Sequence, residues 1–104
     1  MALAQENCID KAPKLDDVAA EMLSTDLQDW IMVNGSLEKT FRFRNFHETM
    51  AFANAVAYIA QQQDHHPSID LTFGRCKLTW NTHSAGGLSR NDFICAARVD
   101  QLKA

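Results

Sequence analysis

Residues 64–80 read Asp-His-His-Pro-Ser-Ile-Asp-Leu-Thr-Phe-Gly-Arg-Cys-Lys-Leu-Thr-Trp, and they divide a helical pattern from a strand pattern. Pro67 disfavours helical geometry at His66, so a helix arriving from the N-terminal side ends here. Beyond Pro67 the period is two. Ile69, Leu71 and Phe73 alternate with Asp70 and Thr72. After a turn at Gly74-Arg75, Cys76, Leu78 and Trp80 alternate with Lys77, Thr79 and Asn81. Successive strand side chains point to opposite faces, so the stretch predicts a hairpin that is apolar on one side and wet on the other.

Upstream, residues 46–63 carry the longest helical pattern. Phe46, Met50, Ala53, Ala57 and Ala60 form one stripe, widened by Phe52, Val56 and Ile59. Asn45 followed by Glu48 resembles a capping box at its start. The breadth of the stripe exceeds what a thin core needs, which suggests self-association. Before it, Leu37, Phe41 and Phe43 alternate with Glu38, Thr40, Arg42 and Arg44, and Asn34-Gly35 is a hairpin signal joining them to a short strand at 30–33. Earlier still, Ala19, Met22, Leu23, Leu27 and Trp30 recur at helical steps, with Asp16 or Asp17 as a cap. Downstream of residue 80, the loop 84–88 contains Gly86-Gly87. Ser89 and Asp92 then form a capping box that opens a last helix to about residue 102.

The order is α-β-β-α-β-β-α. It predicts an α+β fold, a four-stranded antiparallel sheet with three helices packed on one face. Residues 1–14 have no clear period and read as a flexible N-terminal arm. Residues 15–104 form the domain. The chain has 104 residues, of which 46% are hydrophobic and 22% charged, as expected for one soluble domain. Ten Lys and Arg against thirteen Asp and Glu leave a net charge of −3, which argues against direct nucleic-acid binding. No stretch approaches the roughly 20 apolar residues of a membrane span. The N-terminus lacks a basic segment followed by an apolar run, so no signal peptide is read there. The three cysteines, Cys8, Cys76 and Cys95, are odd in number and widely spaced, and they read as reduced thiols in a cytoplasmic protein.

The residues with chemical potential are His65, His66 and His83. Core parity of Cys76, Leu78 and Trp80 sends Thr79, Asn81 and His83 to the polar side. A hairpin of this length returns His83 toward the His65-His66 pair. Imidazole titrates near neutrality, so two of them can supply an acid and a base at one pH. The residues alone leave three readings open: exposed loop histidines without a role, a metal site, or acid–base catalysis. Zinc is disfavoured, because adjacent histidines diverge, Cys76 has core parity and no HExxH is present; neither Asp64 nor Cys76 completes a persuasive ligand set. Asp92 reads as a helix cap before it reads as a site residue. Trp30 and Trp80 read as core. Arg42, Arg44, Arg75 and Lys77 read as a solvated sheet face, or as a rim attracting an electron-rich ring or an anion.

The run Asp64-His65-His66-Pro67, then Phe73, Thr82-His83, Gly87-Leu88-Ser89 and Asp92 resembles the pterin-4a-carbinolamine dehydratase family. Five residues separate Pro67 from Phe73, nine separate Phe73 from His83 and eight separate His83 from Asp92, which fits the family spacing. Trp30, Gly35 and Phe41-x-Phe43-x-x-Phe46 add to the likeness, which covers about residues 16–103. The resemblance implies the same α+β fold and a homodimer or homotetramer. It implies dehydration of 4a-hydroxytetrahydropterin to quinonoid dihydropterin, following an aromatic amino acid hydroxylase, with no cofactor and no metal. By position, His65 and His83 match the acid–base histidines, His66 a pterin-holding histidine and Asp92 the closing carboxylate. Asp64 and Pro67 belong to the same motif as supporting residues. Gln61 stands where many members carry an acid. Lying one helical turn before His65, it is expected beside that imidazole, where it lacks the charge of a carboxylate. The same fold in a non-catalytic, pterin-binding or partner-stabilising role is the alternative.

Overall fold

A computed structural model describes residues 2–103. The strands and helices follow the expected order: α1 (Asp17–Ser24), β1 (Ile31–Val33), β2 (Ser36–Arg42), α2 (Phe46–Gln63), β3 (Ser68–Thr72), β4 (Arg75–Trp80) and α3 (Arg90–Asp100). The sheet is antiparallel throughout, in the order β1-β2-β4-β3. The helices cover one face, as the sequence predicts. At the centre, Leu37, Val56, Cys76, Leu78, Trp80, Phe93, Cys95 and Val99 are fully buried. Removing that apolar area from water is the main stabilising contribution.

Local chemistry explains the boundaries. Asn34 and Gly35 have φ of 50° and 78° and form a two-residue loop between Val33 and Ser36, the geometry that suits the twist of paired strands. Asn45 caps α2 by accepting from the Glu48 N–H at 2.8 Å. The reciprocal bond of a capping box is replaced, because Glu48 instead takes the N–H and guanidinium of Arg44. At Ser89 the box is complete.

Several details depart from the sequence reading. On α2 the buried residues are Thr49, Phe52, Ala53, Val56 and Ala60, a stripe rotated from the expected one, and Phe46 and Ala57 are exposed. Phe52 sets the rotation by packing against Phe41 and Phe43, with ring centroids 4.6 and 5.1 Å apart. α1 stops at Ser24, so Leu27 and Trp30 lie beyond it and Met22 faces solvent. Strand β3 is a sheet edge, which leaves Leu71 exposed despite its core parity, and Phe73 lies in the turn beyond β3 and is exposed too.

The N-terminal segment is not a loose arm where it is described. Leu3 is buried in the core, and Asn91 on α3 bonds both ways with the Ile9 backbone, at 3.0 and 2.8 Å. Arg90 pairs with Glu6 at 2.7 Å. Lys14 bridges to Ser89 as an isolated antiparallel pair. These bonds satisfy backbone groups without any periodic apolar pattern. Met1, the first residue of the expected arm, lies outside the described residues.

Candidate active site

The end of α2 decides where the histidines go. Asp64 adopts the left-handed conformation, φ 52° and ψ 45°. The Asp64 N–H bonds to the Gln61 carbonyl at 3.3 Å and the His65 N–H to the Ala60 carbonyl at 3.0 Å, the paired bonds of a Schellman cap. The chain turns sharply at Asp64, and the two imidazoles part. His65 turns inward, its Nε2–H donating to Asp92 Oδ1 at 2.6 Å. His66 stays exposed, with Nε2 3.3 Å from Gln61 Oε1. The expected Gln61–His65 neighbourhood is therefore corrected: the turn at Asp64 gives Gln61 to His66. Pro67 carries the chain in extended form into β3.

Asp92 is 0% exposed and its two oxygens do separate work. Oδ1 takes His65. Oδ2 accepts the Ser89 N–H at 2.9 Å, closing the capping box, and the Thr82 hydroxyl at 2.8 Å. Ser89 Oγ lies 2.6 Å from Thr82 Oγ1, so the bonds run in series from Ser89 to Thr82 to Asp92. Helix capping and anchorage of His65 are two functions of one carboxylate.

The ring of His65 stacks on Trp80, with centroids 5.6 Å apart and planes 13° off parallel. Its side chain is 12% exposed. Burial works against the imidazolium, but the hydrogen bond and charge of Asp92, helped by Cys8 and Asp64, outweigh it and raise the His65 pKa above the ordinary imidazole value. Nε2 is committed to Asp92, which leaves Nδ1 as the ring nitrogen without a protein hydrogen bond among the described residues.

His65 lines a hollow of about 210 Å³ with Asp64, Thr82, Ser84, Asn91 and residues 8–12. His83 opens a 3-10 turn, His83–Ala85, and is exposed. It lines a second hollow of about 250 Å³ with Asn81 and the Asn34–Gly35–Ser36 turn. The hairpin register pairs Ser68 with Thr79, so His65-His66 and His83 flank the same end of β3 and β4. His83 sits between Thr82 and Ser84, two residues of the His65 hollow, but the two hollows share no lining residue. No three His, Cys, Asp or Glu side chains among the described residues group as metal ligands.

Residues 13–102 match the family profile described as Pterin 4 alpha carbinolamine dehydratase. The chain belongs to this dehydratase family. A Chromobacterium violaceum protein named "Putative pterin-4-alpha-carbinolamine dehydratase" is 50% identical over 92 residues, covering 88% of this chain and 84% of that protein. Among solved structures, a Brucella melitensis transcriptional coactivator/pterin dehydratase superposes with a TM-score of 0.84 at 24% identity, covering 88% of this chain and 99% of that one. A pterin dehydratase-like protein described as a RuBisCO assembly factor in the alpha-carboxysome superposes at 0.58 with 27% identity, covering 70% and 84%.

Sequence reasoning about this dehydratase-family site missed the parts played by Trp80, Thr82, Ser89, Cys8 and Ile9, although Thr82 and Ser89 stand in its motif. Trp80 has core parity and is buried, yet one face supports His65. Thr82 and Ser89 carry hydroxyls whose link to Asp92 depends on the 82–87 loop closing, through the Thr82 N–H to the Gly87 carbonyl at 2.9 Å. Cys8 and Ile9 enter the hollow from a segment with no sequence periodicity. The available signals were the adjacency of Thr82 to His83 and the Ser89–Asp92 capping box.

Proposed function

We propose that this protein dehydrates a 4a-hydroxytetrahydropterin to the quinonoid dihydropterin and water, in tetrahydrobiopterin recycling. The observation that carries the reading is the contact of His65 with the buried Asp92 carboxylate. A proton must reach the 4a-hydroxyl as it leaves, and a ring N–H must lose one. His65, whose proton affinity is raised by Asp92, is suited to be the acid. His83 is then the base and His66 a pterin contact, with Gln61, Asp64 and Pro67 shaping the approach. Each histidine is expected to contribute about 10²–10⁴-fold to the rate.

Stopped-flow measurement with freshly generated carbinolamine tests this. Wild-type protein should accelerate dehydration, and His65→Ala should lose about 10²–10⁴-fold of that acceleration. A wild-type trace equal to the uncatalysed reaction sinks the reading.

A second reading, pterin binding or partner stabilisation without turnover, is favoured by two observations. Gln61 brings no charge to His66, and residues 8–12 wall the His65 hollow. The pterin dehydratase-like RuBisCO assembly factor gives a precedent for an assembly role on a similar chain. Calorimetric binding of a reduced pterin with no acceleration of dehydration would select it.

The enzyme reading includes a homodimer or homotetramer, an aromatic amino acid hydroxylase as the source of substrate, and the cytoplasm as the location. Exposed Phe46, Tyr58, Leu71 and Phe73 support self-association. The free thiols Cys8, Cys76 and Cys95 fit a reducing compartment, and no described helix is long and apolar enough to cross a membrane. Light scattering on purified protein reads the mass of the assembly.

A further inference from the structure

Cys8 and Cys95 are 87 positions apart in sequence, yet their sulfurs lie 3.5 Å from each other. We propose that they are a dithiol modification site, oxidised by peroxide to a reversible disulfide that staples the N-terminal segment across the His65 hollow.

Bonds on either side of Cys8 hold it in register. Its N–H donates to Gln63 Oε1 at 2.7 Å at the end of α2, and the next residue, Ile9, is bonded both ways to Asn91 on α3. A disulfide is about 2.05 Å long, so the sulfurs need to close by roughly 1.5 Å, within reach of side-chain rotation. The third cysteine is the internal contrast. Cys76 is buried in the sheet, and burial pushes its thiol up to about 11.

The pair is also polarised. The hydrogen bond with Cys95 is the main cause holding Cys8 below the ordinary thiol value; burial opposes it, and the charges of His65 and Arg98 assist. Cys95 is raised by the same bond and by burial. Either sulfur can donate in this contact, and the Cys8 S–H also reaches the Asn91 carbonyl at 3.6 Å. Cys8 is partly exposed and Cys95 is fully buried, so Cys8 is the sulfur that a small oxidant reaches first.

The chemistry balances in two steps. Cys8 attacks a peroxide oxygen, the O–O bond breaks, and a sulfenic acid and one water form. The Cys95 sulfur then attacks the Cys8 sulfur, the S–O bond breaks, and the disulfide and a second water form. Two thiols have lost two electrons and two protons to one hydrogen peroxide. Cys8 lines the His65 hollow, so the product fixes one wall of it. Neither the step nor its test involves a pterin, so both stand apart from the dehydratase reading.

The test treats full-length protein with a small excess of hydrogen peroxide. The expected result is the loss of two hydrogens by intact mass, reversed by dithiothreitol. A non-reducing tryptic map should join the peptide ending at Lys11 to the peptide Asn91–Arg98. Cys76→Ser should oxidise like wild type and Cys8→Ser should not form the bond. Cys95→Ser should stop at a sulfenic acid trapped by dimedone; should that core variant fail to fold, Cys8→Ser and the map still decide. Amide exchange across residues 2–12 should slow by about ten-fold or more on oxidation, as expected when local opening is suppressed. Cys8 joined to Cys76 or to a second chain, over-oxidation without a disulfide, or unchanged exchange in the oxidised form would each overturn the proposal.

Discussion

Replacing Asp92 by Asn keeps shape and volume but removes a charge from a fully buried position. In wild type the carboxylate accepts three bonds: from His65 at 2.6 Å, Thr82 at 2.8 Å and Ser89 at 2.9 Å. The amide oxygen of Asn can keep Thr82 and Ser89 as neutral bonds. Its NH2 then faces His65 Nε2, which must give up its proton and act as acceptor. A hydrogen bond to a charged group contributes about 1.5–3 kcal/mol and a neutral one about 0.5–1.5 kcal/mol. Losing the charge-assisted bond and weakening the other two should cost about 3 kcal/mol at pH 5.5. The sign of the pH dependence follows from His65, whose pKa is raised in the folded state. Its contribution is fully present below the unfolded value of about 6.5 and is lost as pH rises through the higher folded value. At a pH above that folded value the imidazole is neutral, and Asp92→Asn should cost about half as much. Urea denaturation at the two pH values, followed by tryptophan fluorescence, measures both costs. Proton NMR of the His65 ring should show its titration moved to lower pH in the variant. Equal costs at both pH values, with the His65 titration unmoved, would refute an ion-paired Asp92.

Thr82→Val removes the hydroxyl that bridges Ser89 and Asp92 and should cost about 1–3 kcal/mol in urea denaturation. With one donor fewer on Asp92, the His65 titration should move further upward, a response that a packing defect alone would not produce. Gln61→Glu sets a carboxylate beside His66, 3.3 Å away in wild type, so it should favour the imidazolium of His66 in NMR titration and leave His65 unaffected. Leu78→Ala empties a fully buried position at the centre of the sheet and should cost about 2–5 kcal/mol by the same denaturation assay.

The fold was legible where a pattern repeats over several residues. The alternation at Cys76, Leu78 and Trp80 reports one buried face, and a register slip of one residue would expose all three, so that part of the chain has a single solution. The Asn34-Gly35 and Ser89–Asp92 signals were legible because each satisfies backbone geometry locally. The site was legible only as a set of residue types. Which imidazole meets Asp92 depends on one left-handed residue, Asp64, a conformation that asparagine and aspartate adopt without announcing it in any periodicity. A continuous helix would bring Gln61 to His65; the turn at Asp64 gives His65 to Asp92, and Gln61 receives His66. Likewise the segment around Cys8 is docked by Asn91, Gln63 and Arg90, polar side chains whose partners lie more than 50 positions away. Bonds of that kind leave no mark on the hydrophobic pattern. They nevertheless form one wall of the hollow in which His65 sits, so the chemistry at His65 depends on contacts that no local reading of residues 1–14 contains.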